Sequence, residues 1–109
     1  MKELELKCFE IIASVGEARS MYINAISKAK KYDFEEARKL IEEGEKVFGK
    51  GHEAHLSLVQ KEAEGNGFTP TVLLLHAEDQ LMSAEGFKII ANEFIQSYEK
   101  IKSLEERVN

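Results

Sequence analysis

Apolar residues recur along this chain at alternating intervals of three and four. In the first stretch Leu4, Cys8, Ile11, Val15, Ala18, Tyr22, Ala25 and Ala29 form one seam, the signature of a helix with a single buried face. The pattern predicts a helix from about residue 3 to 31. Tyr32-Asp33 interrupts it, and Asp33 is suited to cap a second helix, with Glu36 three residues later completing a capping box. Phe34, Ala37, Ile41, Gly44, Phe48, Gly51, His55 and Leu58 repeat the rhythm and predict a helix over about 34–64. Gly44 and Gly51 weaken that helix by roughly 1 kcal/mol each relative to Ala, which makes sense if a neighbouring helix comes close there. Gly16, off the first seam, reads as another close approach. Gly65-Asn66-Gly67 is a break, since all three residues tolerate positive φ. Thr69 then reads as an N-cap with Pro70 in the first turn, opening a third helix over about 70–105.

Helices of about thirty residues are on the order of 45 Å long. Joined by short connections, they must run up-down-up, so the expected fold is an all-α, antiparallel three-helix bundle forming one domain over residues 1–109. The third helix carries a surplus. Around its first turns Leu74, Leu75, Leu81 and Met82 lie roughly opposite the stripe through His76, with Val72, Leu73 and Ala77 flanking it. A helix in a lone three-helix bundle has a solvent side, so a turn that is apolar nearly all round implies burial against more than two helices. A homo-oligomer is expected, with the start of helix three near its interface.

Composition narrows the function class. Of 109 residues, 43% are hydrophobic and 32% charged, with a formal net charge of −5 and no basic cluster, which argues against nucleic acid as a partner. Cys8 is the single cysteine, so no internal disulfide forms and a reducing compartment fits. The first residues lack a signal-peptide apolar core and no window reaches bilayer-spanning length. The cytoplasm is the expected location, with no membrane insertion.

Three motifs invite chemistry. Gly44–Gly51 nearly spells a phosphate-binding loop, but it lacks the Ser/Thr hydroxyl and the preceding strand, and it lies inside a helical period. His52 and His55 stand one residue short of the spacing of a metalloprotease helix; a hydrogen-bonded, buried His55 and an exposed His52 are the favoured reading over a metal pair. Cys8, among Leu4, Ile11 and Ile12, reads as an inert packed thiol. His76 is the most informative residue. At about 100° per residue it shares a stripe with Asp79, Gln80 and Ser83 that continues as Phe87, Ile90 and Phe94. Polar groups where a core face should be need partners or a task. A neutral imidazole, a group whose unperturbed pKa is about 6.5, is also a competent nucleophile toward phosphorus. From the residues alone, a satisfied core histidine, a metal ligand paired with Asp79, and a nucleophile all remain open.

The string Leu73-Leu74-Leu75-His76-Ala77-Glu78-Asp79-Gln80-Leu81-Met82 resembles the phosphorylation-site segment of the lactose/cellobiose class of enzyme IIA of the bacterial sugar phosphotransferase system. Gly16-Glu17-Ala18-Arg19-Ser20 resembles that family's Gly-x-Ala-Arg-Ser, and Glu53-Ala54-His55 its Glu-Ala-His. The likeness runs in order over nearly the whole chain. It implies a three-helix bundle that assembles as a homotrimer of nine helices. His76 would be the phosphorylated catalytic residue, and Asp79 one of three carboxylates meeting at a divalent metal ion, with Mg²⁺ the natural guess, on the threefold axis. It implies HPr as phosphoryl donor and a cysteine of enzyme IIB as acceptor, with the sugar entering through the membrane component IIC. An apolar patch around His76 would contact both HPr and IIB. Glu78 departs from the family's usual glutamine, and Gln80 replaces a histidine of lactose-type members, which favours a β-glucoside such as cellobiose over a lactose-specific role. Two other readings stand beside this one: a non-catalytic trimeric helical adaptor, and a metal-binding helical protein using His52, His55 and His76.

Overall fold

The computed structural model describes residues 2–108. It consists of α1 (Glu3–Lys30), α2 (Phe34–Ala63) and α3 (Val72–Val108), without a strand among the described residues. The molecule is a rod of 63 × 20 × 20 Å. α1 is the central helix, packed along both others, whereas α2 and α3 touch sparsely.

The periodic seams do the packing. Cys8, Ile11, Val15, Ala18, Tyr22, Ala25 and Ala29 are all buried on α1, and Ala37, Ile41, Gly44, Gly51, Ala54 and Leu58 on α2. The glycines on the α2 seam mark the closest approach of α1. A Cβ on Gly44 would lie 2.5 Å from Cε1 of Tyr22, and one on Gly51 would lie 2.7 Å from Cγ1 of Val15. Gly16 differs from the expectation: a Cβ there meets nothing within 4 Å, so no helix of the chain presses on it.

The turns follow the sequence with two exceptions. α1 closes through N–H groups of Tyr32 and Asp33 that donate to Ala29 and Lys28 carbonyls at 2.9 and 3.0 Å. Tyr32 takes the left-handed conformation (φ 65) usually left to glycine, held there by stacking on Phe34 at 5.9 Å. α2 ends the same way with Gly65 at φ 90. Asp33 caps α2 by accepting from the Glu36 N–H at 3.3 Å. The expected return bond from Glu36 does not form, because the Asp33 N–H is already bonded to Lys28. The second exception is the start of α3. Thr71, not Thr69, caps it, its hydroxyl accepting from the Leu74 N–H at 3.1 Å. Pro70 therefore precedes the helix, and α3 runs over Val72–Val108 rather than 70–105. The other helices end one residue earlier than expected, at Lys30 and Ala63.

The core of α3 is Ala77, Leu81, Ala84, Ala91 and Ile95. Small residues let α3 lie close to α1, with Ala77, Leu81 and Ala84 in one cluster with Cys8, Ile11 and Val15 of α1 and Ala54 and Leu58 of α2. The His76 stripe is therefore not the core face. It lies about a quarter-turn away, and this corrects the expectation that its polar groups displace core residues.

Candidate functional site

His76 precedes buried Ala77 on a helix whose next core anchor, Leu81, is one turn on. That anchoring fixes the backbone while leaving the His76 side chain exposed. Among the described residues the imidazole makes no hydrogen bond or ion pair. A rigid platform carrying an open ring nitrogen can accept an electrophile from a docking partner.

Neighbours on α3 divide by direction. Glu78 points to α2, where its Oε1 lies 3.3 Å from Nε2 of His55, so it faces its own chain's second helix. This pair is the upper member of three polar ties across the sparse α2–α3 seam, with Glu45–Lys88 at 2.8 Å in the middle and Arg38–Glu99 at the far end. Asp79 is exposed on the side away from the core. Around it runs a stripe of unpartnered apolar side chains: Val72 is 83% exposed, Leu75 59%, Met82 69% and Ile89 65%. On the third side Gln80 and Ser83 are half-buried toward α1. There Nη1 of Arg19 donates to the Ser83 hydroxyl at 3.4 Å.

The remaining candidates take their places. Gly44–Gly51 is continuous helix, so its N–H groups are committed to the backbone ladder. His52 is exposed and stacks on Phe48 at 6.2 Å, and His55 is half-buried against Glu78 rather than fully buried. The three histidines do not converge, and no group of three or more His, Cys, Asp or Glu side chains able to hold a metal occurs among the described residues. Burial pushes the Cys8 thiol up, with Glu78 and Glu5 adding to the shift, so the thiolate is disfavoured and the residue is packing. Two relationships escaped the sequence reading: His55 with Glu78, and Arg19 with Ser83. The first was hidden because His55 was assigned to the seam itself. The second left one signal, a cation flanking the seam position Ala18.

Comparison with known proteins agrees with this architecture. Residues 6–99 match the family described as PTS system, lactose/cellobiose specific IIA subunit. The chain is 41% identical to the lichenan-specific phosphotransferase enzyme IIA component of Bacillus subtilis (strain 168), over 92% of this chain and 91% of that one. It is 35% identical to the lactose-specific EIIA component of Staphylococcus aureus (strain N315), over 91% and 96%. Among solved structures it superposes on the cellobiose-specific enzyme IIA of Bacillus anthracis with a TM-score of 0.91 at 34% identity, covering 94% of each chain. It also superposes on a structure of a IIA(chitobiose)–HPr complex with a TM-score of 0.82 at 25% identity, covering 94% of this chain and 99% of that one. With a three-helix fold, near-complete coverage and matched sequence throughout, the chain belongs to the lactose/cellobiose-specific IIA family, whose members are phosphotransferase subunits.

Proposed function

We propose that this chain is a phosphocarrier that takes a phosphoryl group on His76 from phospho-HPr and delivers it to the cysteine of an enzyme IIB. The observation that carries the reading is the exposed, unengaged imidazole on a helix turn locked from behind by Ala77 and Leu81. The HPr complex of a structural neighbour supports HPr as donor.

The chemistry asks little beyond positioning. One ring nitrogen of neutral His76 attacks phosphorus while the nitrogen–phosphorus bond of the donor's phosphohistidine breaks. The donor ring leaves as neutral imidazole, keeping the proton on its other nitrogen, and the His76 ring keeps its own N–H and takes the positive charge. In delivery the IIB thiolate attacks phosphorus, a sulfur–phosphorus bond forms, and His76 returns to neutral imidazole. No proton needs to be supplied from bulk water at either step.

Assembly as a homotrimer accounts for the α3 stripe. Val72, Leu75, Met82, Ile89 and Ile90 expose more apolar surface than a lone rod needs, and three copies meeting along α3 would cover it. Asp79 stands within that stripe, so each copy would bring one carboxylate to the axis. A single chain offers one such oxygen ligand, and the donor set fits a hard divalent cation such as Mg²⁺ only when three copies share it. The ion would offset the mutual repulsion of the carboxylates and takes no part in the transfer.

A β-glucoside such as cellobiose is the favoured sugar. The 41% identical relative is named for lichenan and the neighbour with a TM-score of 0.91 for cellobiose. A lactose-specific role is the second reading, favoured by the Staphylococcus aureus relative. A carrier working between HPr and IIB would act in the cytoplasm; no described helix is long and apolar enough to cross a membrane. The test is a relay with isotopically labelled phosphoenolpyruvate, enzyme I, HPr and candidate IIB proteins. Label should pass through this chain to a IIB cysteine; a chain that stays unlabelled while HPr is fully phosphorylated would refute the reading and favour a non-catalytic adaptor.

A further inference from the structure

A cation bridges α1 and α3. Arg19 is half-buried, and its guanidinium reaches across to the Ser83 hydroxyl. No carboxylate lies within 4 Å of it among the described residues, and the Ser83 hydroxyl is its side-chain hydrogen-bond partner there. A partly desolvated guanidinium satisfied by one neutral hydroxyl leaves most of its donor fork free.

Its position is specific. α1 and α3 run in the same direction, and the Arg19–Ser83 bond joins them at the Ser83 level of α3. Ser83 lies on the same stripe as His76, about two turns along. About one turn before Arg19, α1 carries Gly16, where an added Cβ meets nothing within 4 Å. Since packing does not demand glycine there, its cost to helix stability leaves a gap in the groove wall without relieving any contact. The α3 stripe thus runs from the His76 imidazole past the Gln80 amide to the Ser83 hydroxyl, where the Arg19 guanidinium sits.

We propose that Arg19 is the charge-compensating residue for phospho-His76. This rests on the phosphocarrier reading and goes beyond it by naming the positive pole of the site. Phosphorylation places a dianionic phosphoryl group on a ring that takes one positive charge, a net gain of about one negative charge, and a cation about 10 Å along the α3 stripe favours that state over the free imidazole. Arginine side chains on a helix lean toward its N-terminus, which is the His76 end here. Arg19 holds the charge in place and the Ser83 hydroxyl holds Arg19. It touches neither reacting atom, so it acts as a positioning residue.

The experiment measures the equilibrium of phosphoryl exchange between purified phospho-HPr and the full chain, as wild type, Arg19→Gln, Arg19→Lys and His76→Ala. Arg19→Gln should shift the equilibrium toward phospho-HPr on the order of tenfold, and Arg19→Lys, which keeps the charge but loses the fork, should stay within about threefold of wild type. Raising ionic strength should weaken phosphoryl acceptance by the wild type more than by Arg19→Gln. An unchanged equilibrium in Arg19→Gln would overturn the proposal. So would equal losses in the Gln and Lys variants, which would mean a packing role. Dissociation of Arg19→Gln to monomers, read by light scattering, would make Arg19 a subunit contact and overturn it as well. A His76→Ala chain that still accepts phosphate would refute the phosphocarrier reading itself; an inactive His76→Ala beside an unaffected Arg19→Gln would remove only this inference.

Discussion

The carboxylate of Glu78 on α3 lies 3.3 Å from Nε2 of His55 on α2, which turns it away from the exposed edge where His76 stands. The pair closes the upper end of a seam that has few other contacts, and its charge component depends on the protonation of His55. With the Glu78 side chain 47% exposed, such a pair is worth roughly 0.2–1 kcal/mol. Glu78→Gln is therefore expected to keep full helix content and to lose less than about 1 kcal/mol in chemical denaturation, with phosphoryl acceptance intact. A loss of several kcal/mol would show that the pair is buried in the working assembly.

Three glycines on or near the α1 interface should respond in opposite directions. Gly44→Ala and Gly51→Ala force a methyl group onto Tyr22 and Val15. Overpacking of this kind costs about 1–3 kcal/mol, against a gain of about 1 kcal/mol in helix propensity, so both should lower the melting temperature. Gly16→Ala meets no atom of its own chain and should raise stability by up to about 1 kcal/mol. Thermal denaturation followed by circular dichroism separates the two classes.

Alkaline pH should destabilise the fold through Tyr22. Burial, with a contribution from Glu45, pushes its phenol up from about 10 to about 12. The folded state then holds a proton that the unfolded chain gives up near pH 10. The sign is fixed: this stability is complete below the unfolded value and is lost as pH rises toward about 12. Tyr32, raised by its hydrogen bond to Glu105, acts in the same direction. Melting temperatures measured upward from pH 9 should fall, and Tyr22→Phe should fall less steeply than wild type. Equal slopes would contradict the account.

Self-association offers a contrast between two neighbouring side chains. Met82→Lys puts a charge into the exposed α3 stripe and is expected to give monomers in light scattering. Asp79→Leu removes a charge from the same stripe and leaves apolar surface, so the proposed trimer should persist. Dissociation of Asp79→Leu would mean that the carboxylate, rather than its apolar surroundings, holds the copies together.

Much of this was legible in the residues because helical seams are local and periodic. Cys8 through Ala29 and Gly44 with Gly51 identified the faces that pack, and the His76 segment carried the resemblance to the family that the chain matches. The direction of polar side chains was harder to read. His76 and Asp79 were assigned to a stripe where core seemed due, because Phe87, Ile90 and Phe94 continue it. The real core of α3 is built largely of alanines, whose small size carries a weak hydrophobic signal. The start of α3 was misplaced for a related reason: Thr69 and Thr71 are equally good caps, and only the backbone path past Pro70 decides between them. Gly16 could not be interpreted from spacing, since an open groove and a tight crossing both ask for glycine. The cross-helix pairs of His55 with Glu78 and Arg19 with Ser83 depend on register between helices, which no single-helix period encodes.

The central claim, that His76 carries the phosphoryl group, is tested most directly by intact-mass measurement after incubation with phosphoenolpyruvate, enzyme I and HPr. Wild type should gain the mass of one phosphoryl group per chain, labile in acid as a phosphohistidine is, and His76→Ala should gain none while remaining helical. A gain that survives in His76→Ala, or no gain in a folded wild type beside fully phosphorylated HPr, would contradict the account.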